Sequence, residues 1–146
     1  MRKTYRLGVL IAAGVMVISP ASAAAAPQIA CPAEIASVEI AVTAPPSWKA
    51  HVQYPLQLAS AGISVGPPEA LAILRGESVN KKGQLPSTRY RFGDIEAEHG
   101  KWLNCGYGED CAVLLSKRLD PSIRECTVRY LKQQTPGKQT IQIVCK

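Results

Sequence analysis

The stretch Lys101-Trp102-Leu103-Asn104-Cys105-Gly106-Tyr107-Gly108-Glu109-Asp110-Cys111, KWLNCGYGEDC, sets two thiols, two glycines and two acids within a few residues. Period-two alternation dominates wherever the chain shows a pattern, and successive side chains of a strand point to opposite faces. The spacing predicts one strand over Lys101–Tyr107, a turn at Gly108-Glu109-Asp110, and a return strand over Cys111–Arg118. A turn centred on Gly108 sets Cys105 opposite Cys111, and a one-residue slip puts the two thiols on opposite faces.

The same period of two recurs outward from this hairpin. Val38, Ile40 and Val42 alternate with Ser37, Glu39 and Ala41, and Ala50, Val52 and Tyr54 with Lys49, His51 and Gln53. Tyr90 and Phe92 alternate with Arg89 and Arg91. Cys126, Val128 and Tyr130 stand against Glu125, Thr127 and Arg129, and Ile141, Ile143 and Cys145 close the chain. Pro45-Pro46, Gly66-Pro67-Pro68, Lys82-Gly83, Asp120-Pro121 and Pro136-Gly137 punctuate these runs as turns. The expected class is all-β, an antiparallel sandwich or partly open barrel, with one short helix over Glu69–Arg75 after its two prolines.

At the N-terminus, Arg2, Lys3 and Arg6 precede the uncharged apolar run Leu7–Ile18, and Ala21-Ser22-Ala23 supplies a small-x-small cleavage site. About 12 apolar residues are too few to cross a bilayer as a helix, which takes roughly 20. Residues 1–23 therefore read as a signal peptide and residues 24–146 as one domain, exported to the periplasm. Lipidation at Cys31 is disfavoured, because Gln28 occupies a position that lipidation sites fill with an aliphatic side chain. Losing Arg2, Lys3 and Arg6 lowers the formal charge from +6 to +3. Those charges are spread along the chain, unlike the clustered basic face of a nucleic-acid binder.

All five cysteines follow the signal, as suits an oxidising compartment where disulfides persist. Zinc is wrapped by ligand pairs two to four residues apart, and a dithiol redox site by Cys-x-x-Cys; neither spacing occurs. A cysteine nucleophile needs a base beside a thiolate, and nothing in the sequence sets His51 or His99 beside one. The cysteines thus read as structural, with no metal and no cofactor. Five leave one over, so counting does not fix the pairing. The first expectation joins Cys31 to Cys145 and Cys105 to Cys126, leaving Cys111 free to bridge two chains in a covalent dimer; the alternative joins Cys105 to Cys111.

Cys31-Pro32-Ala33-Glu34, Trp48, Gly66-Pro67-Pro68, Trp102-Leu103-x-Cys105-x-Tyr107, Cys126-x-Val128-x-Tyr130 and the final Cys145 together resemble a small exported proteobacterial family known by a locus-tag name. The resemblance implies an exported, cysteine-bridged domain in which Cys31, Cys105, Cys126 and Cys145 match the family's four cysteines. Cys111 departs from that pattern, as does the Tyr90/Phe92 pair where the family tends to carry tryptophan. The resemblance implies no activity.

Four further signals have plain readings. Ser78-Val79-Asn80-Lys81 fits the Ser-x-x-Lys of penicillin-interacting enzymes, but the companion Lys-Thr-Gly is missing. Asp94, Glu96 and Glu98 before His99 would share one face of a strand, as calcium ligands or an acid-base set, yet a solvated strand edge explains them equally. Arg89 and Arg91 read as the outer face of a half-buried strand, and Trp48 and Trp102 as core anchors. The leading functional expectation is a non-enzymatic binding module for an envelope protein. The alternative is an inhibitor or immunity protein against an envelope-degrading enzyme of the lysozyme type, with the tip Gly106, Tyr107, Gly108, Glu109 and Asp110 as its contact surface. The third is a hydrolase built on Asp94, Glu96, Glu98 and His99.

Overall fold

A computed structural model describes residues 29–70, 72–133 and 136–146, so the signal peptide expected over residues 1–23 lies outside the described residues. Two four-stranded antiparallel sheets share one hydrophobic core without closing into a barrel, which agrees with the all-β expectation. The first sheet runs β1 (Glu34–Ile35), β2 (Leu56–Val65), β5 (Lys101–Tyr107), β6 (Val113–Arg118). The second runs β3 (Glu77–Val79), β4 (Ser87–Arg91), β7 (Glu125–Tyr130), β8 (Ile141–Cys145).

Alternation places the core. Leu103, Cys105 and Tyr107 turn inward from β5, Cys126 and Val128 from β7, and Ile143 from β8. Tyr90 of β4 and Phe92 just beyond it join them.

β2 is the longest strand and the one no run of period two reveals. A bulge between Leu58 and Ser60 shifts its pairing with β5, so Leu58 faces inward before the irregularity and Ala61 and Ile63 after it. The extra residue reverses the phase of alternation partway along the strand.

Several local patterns do not become strands. Residues 37–39 form a 3-10 turn, and the chain from Ile40 to Pro55 carries no strand, with Val38 and Val42 exposed. The alternation there has no partner strand, and backbone pairing requires one. The helix expected over Glu69–Arg75 is instead a 3-10 turn at Pro68–Ala70 followed by an extended run laid along the edge of β2. There the Val65 amide donates to Ala72 O (3.0 Å) and the Leu74 amide to Ile63 O (2.8 Å).

The one α-helix among the described residues, α1 (Asp94–His99), forms where a solvated strand edge was expected. Glu96 accepts a hydrogen bond from the Gly93 amide through Oε2 (2.8 Å), satisfying a donor at the helix start. Gly100, at φ 84°, ends the helix in a conformation that glycine adopts without steric cost.

The disulfides are Cys31–Cys105 and Cys126–Cys145, which corrects both the expected Cys31–Cys145 and Cys105–Cys126 pairs and the alternative Cys105–Cys111. Strand register decides this. Cys126 and Cys145 are direct partners across β7 and β8 with Cα atoms 4.1 Å apart. The segment before β1 is held against β2 and β5, where the Leu58 amide donates to Ala33 O (3.0 Å) and the Tyr107 hydroxyl to Pro32 O (2.9 Å). Cys31 is thereby brought to Cys105, with Cα atoms 5.7 Å apart.

Lys101 is buried at 1 % exposure beneath this core. Its ammonium donates to Pro121 O (3.0 Å) and Ile123 O (2.7 Å) and lies 5.2 Å from the centre of the Phe92 ring. Loss of solvation lowers its pKa, with the nearby Arg124 acting in the same direction.

Candidate protein interface

The turn between β5 and β6 is a 3-10 turn at Glu109–Cys111, and the return strand begins at Val113 rather than Cys111. Gly108, Asp110 and Cys111 all have positive φ, at 77°, 54° and 55°. In the resulting register Cys105 faces Leu115, so Cys111 belongs to the turn and not to the ladder.

Of the five residues expected to form the contact surface, two lie in the interior. Tyr107 is fully buried with its hydroxyl on Pro32, and burial pushes its pKa up. Gly106 is buried where an added Cβ would meet Ser60 Oγ at 2.5 Å and Cys111 Sγ at 2.7 Å. Gly108 is half-buried, its amide donating to Gln57 O (3.0 Å). Only Glu109 and Asp110 offer side chains to a partner.

Those two acids stand at one end of the molecule beside a cleft of about 440 Å³. Pro55–Ala59, Gly108, Glu109 and the β7–β8 turn at Gln133, Gly137 and Gln139 line it. At this same end Gln57 donates through Nε2 to Glu34 (2.8 Å), and Lys138 pairs with Glu34 at 3.8 Å. The long connection that enters β2 here carries Trp48 and Tyr54, exposed at 76 % and 70 %. Trp48 is therefore not the core anchor its residue type suggested, and Trp102 is half-buried. Long irregular connections with exposed aromatic side chains are common features of binding surfaces.

The other expected chemistry is dispersed. Asp94, Glu96 and Glu98 sit on α1, where a spacing of two residues turns successive side chains away from one another, and Glu96 is engaged with Gly93. His51 and His99 are exposed. Among the described residues no three His, Cys, Asp or Glu side chains gather as metal ligands do. Cys111 is an unpaired, half-buried thiol with Sγ 3.0 Å from Ser60 Oγ.

The outer face of the second sheet is strongly charged. Arg89 and Arg91 point outward from β4 and Glu125 and Arg129 from β7, as their alternation implied. Glu125 sits among cations, with Lys146 and Arg91 at 3.4 Å and Arg89 at 3.9 Å. Burial pushes its carboxyl up, but Lys146, Arg91 and Arg89 together outweigh that effect and hold it below the usual carboxylate range.

These features define a two-layered, disulfide-bridged β protein with an exposed loop end and a charged sheet face. Comparison of the sequence with known families places it further: residues 51–146, about two thirds of the chain, match the type VI secretion system Tli immunity protein family, and the chain belongs to that family. No curated protein and no solved structure matches the chain. The family match begins at His51, so Cys31-Pro32-Ala33-Glu34 and Trp48 fall outside it. Membership supports the immunity alternative more specifically than a general binding module.

Proposed function

We propose that this chain is a periplasmic immunity protein that neutralises an envelope-degrading effector delivered by a type VI secretion system, by binding it and not by catalysis. Family membership carries the reading. Two disulfides support a mature protein in an oxidising compartment, and the basic, apolar and small-residue order of residues 1–23 supports export. Among the described residues no helix is long and apolar enough to cross a membrane.

The contact surface in this reading is the end that carries Glu109 and Asp110. Its turn is rigidly based, because Tyr107 is locked onto Pro32 and the Gly108 amide onto Gln57. A preformed projection loses little conformational freedom on entering a cleft. The exposed Trp48 and Tyr54 on the neighbouring connection supply aromatic area of the kind that dominates binding energy.

Crosslinking in intact cells under type VI attack, followed by mass-spectrometric identification, should recover an effector enzyme. The purified chain should then inhibit that enzyme stoichiometrically. Replacing Glu109 with lysine and Asp110 with asparagine, which keeps the left-handed backbone at φ 54°, should weaken inhibition at least tenfold while leaving the melting curve in place. Full effector activity in excess chain would refute the function. Full inhibition by this double variant would refute only the assignment of the tip.

A further inference from the structure

The outer face of the second sheet holds two hydrogen-bond donors without acceptors. Nε of Arg89 and Nε of Arg129 are shielded from solvent and have no hydrogen-bond partner among the described residues. Glu125, the nearest carboxylate to Arg89, is 3.9 Å from its Nε, beyond hydrogen-bond reach. Arg129 makes no ion pair among the described residues. A shielded donor on a cation carries a desolvation penalty until an acceptor reaches it.

Register puts the two arginines at neighbouring positions on one sheet face. Arg89 faces Thr127 across β4 and β7, and Arg129 lies two residues along the same face of β7, so the two are diagonal neighbours. Beside them a shallow depression of about 220 Å³ is lined by Thr127, Arg129, Gln142 and the exposed Val144. Arg89, Arg91, Arg129 and Lys146 outnumber the face's two carboxylates, Glu77 and Glu125.

We infer that this sheet face docks an acidic surface of a folded protein, whose carboxylate or carbonyl oxygens complete the hydrogen bonding of Arg89 and Arg129. The planar guanidinium suits paired acceptors of that kind. A lipid surface presents charge of one sign, and Glu77 and Glu125 within the same face oppose it; a protein surface can set cations against those two acids. The inference rests on the immunity reading and names the chemistry of the partner's contact surface. The face is also joined to the cleft at the other site, since the turn lining that cleft connects the strands that carry Arg129 and Gln142.

The test uses the exported chain purified with its disulfides intact, poly-L-glutamate of about 20 residues as the acidic probe, and phosphatidylglycerol vesicles as the lipid probe. The arginine Nε–Hε resonances of Arg89 and Arg129 should move as poly-L-glutamate is added, while that of the exposed Arg75 stays in place. Replacing both with lysine keeps the charge and removes the shielded donors, and should weaken poly-L-glutamate binding by about tenfold or more. If both resonances stay still, or the double lysine variant binds equally well, the inference falls. Movement of the same two resonances with vesicles at lower concentration than with poly-L-glutamate also overturns it, in favour of a membrane. The wild-type titration needs no variant, so a folding defect in the double mutant leaves the test intact. Failure here alongside full inhibition of the effector would leave the immunity function standing.

Discussion

The hydroxyl of Tyr130 closes the open edge of β2 at Ala61: it accepts from the Ala61 amide (3.2 Å) and donates to the Ala61 carbonyl (3.3 Å). Tyr130 belongs to the second sheet and Ala61 to the first, so one phenol serves as a strand-like partner between the two layers. Removing that oxygen while keeping the ring should leave both backbone groups without their partner. Tyr130→Phe is expected to cost about 1–2 kcal/mol, read as a lower urea midpoint at unchanged slope. An unchanged midpoint would show that water replaces the hydroxyl at no cost.

Peptide mapping without reduction should yield two bridged species, Cys31–Cys105 and Cys126–Cys145, with Cys111 alkylated after unfolding. The sequence separations are 74 and 19 residues. Chain-entropy arguments assign about 4.5 and about 3 kcal/mol to loops of those sizes, so replacing Cys31 and Cys105 with serine should destabilise more than replacing Cys126 and Cys145. The opposite order would mean that packing around each bridge, and not loop size, sets its contribution.

Gly106 leaves room for Ser60 and Cys111 to meet above it. Gly106→Ala is expected to destabilise by about 1–3 kcal/mol through crowding. Adding Cys111→Ala removes the nearest sulfur and should recover part of the loss, giving a coupling above about 0.5 kcal/mol in a double-mutant cycle. Strict additivity would show that the two sites do not share this space.

Lys101 has a lowered pKa in the fold because burial disfavours its charge. The unfolded chain therefore holds that proton more tightly, and stability rises with pH between the lowered value and the ordinary lysine range near 10.5. Urea unfolding across this alkaline window should show that rise, and Lys101→Met should flatten it. The methionine should also cost about 1–3 kcal/mol at neutral pH, since the Pro121 and Ile123 carbonyls lose their donor. A slope that persists in the variant would assign it to other groups.

The strands with unbroken alternation, β4, β7 and β8, were legible because one face of each meets the core and the other meets solvent. β2 was not, because a single bulge at Ala59 cuts its alternation into two short pieces of opposite phase. The converse error came from Val38 to Tyr54, where alternation exists without a neighbouring strand to pair with. Cysteine pairing escaped the sequence for a related reason: Cys126 meets Cys145 through the register of β7 on β8, and loop length says nothing about register. At the candidate interface, the glycine-flanked acids Glu109 and Asp110 were visible as a turn. The exposure of Trp48 was not, because its residue type favours burial and only the course of the connection decides otherwise. The outward Arg89 and Arg91 were legible, but their register against Arg129 emerged only when β4 was laid beside β7.

Each sulfur bridge stays within one layer: Cys31–Cys105 fastens the leading segment to the first sheet, and Cys126–Cys145 rivets two strands of the second. Had the bonds run from Cys105 to Cys126 and from Cys31 to Cys145, they would have sewn the layers together. As built, oxidation stiffens two plates and leaves the contact between them to the chain connections, side-chain packing and a few hydrogen bonds. A partner that grips both the acidic tip on one plate and the arginine face on the other would clamp a joint that only the backbone connections, and no disulfide, span.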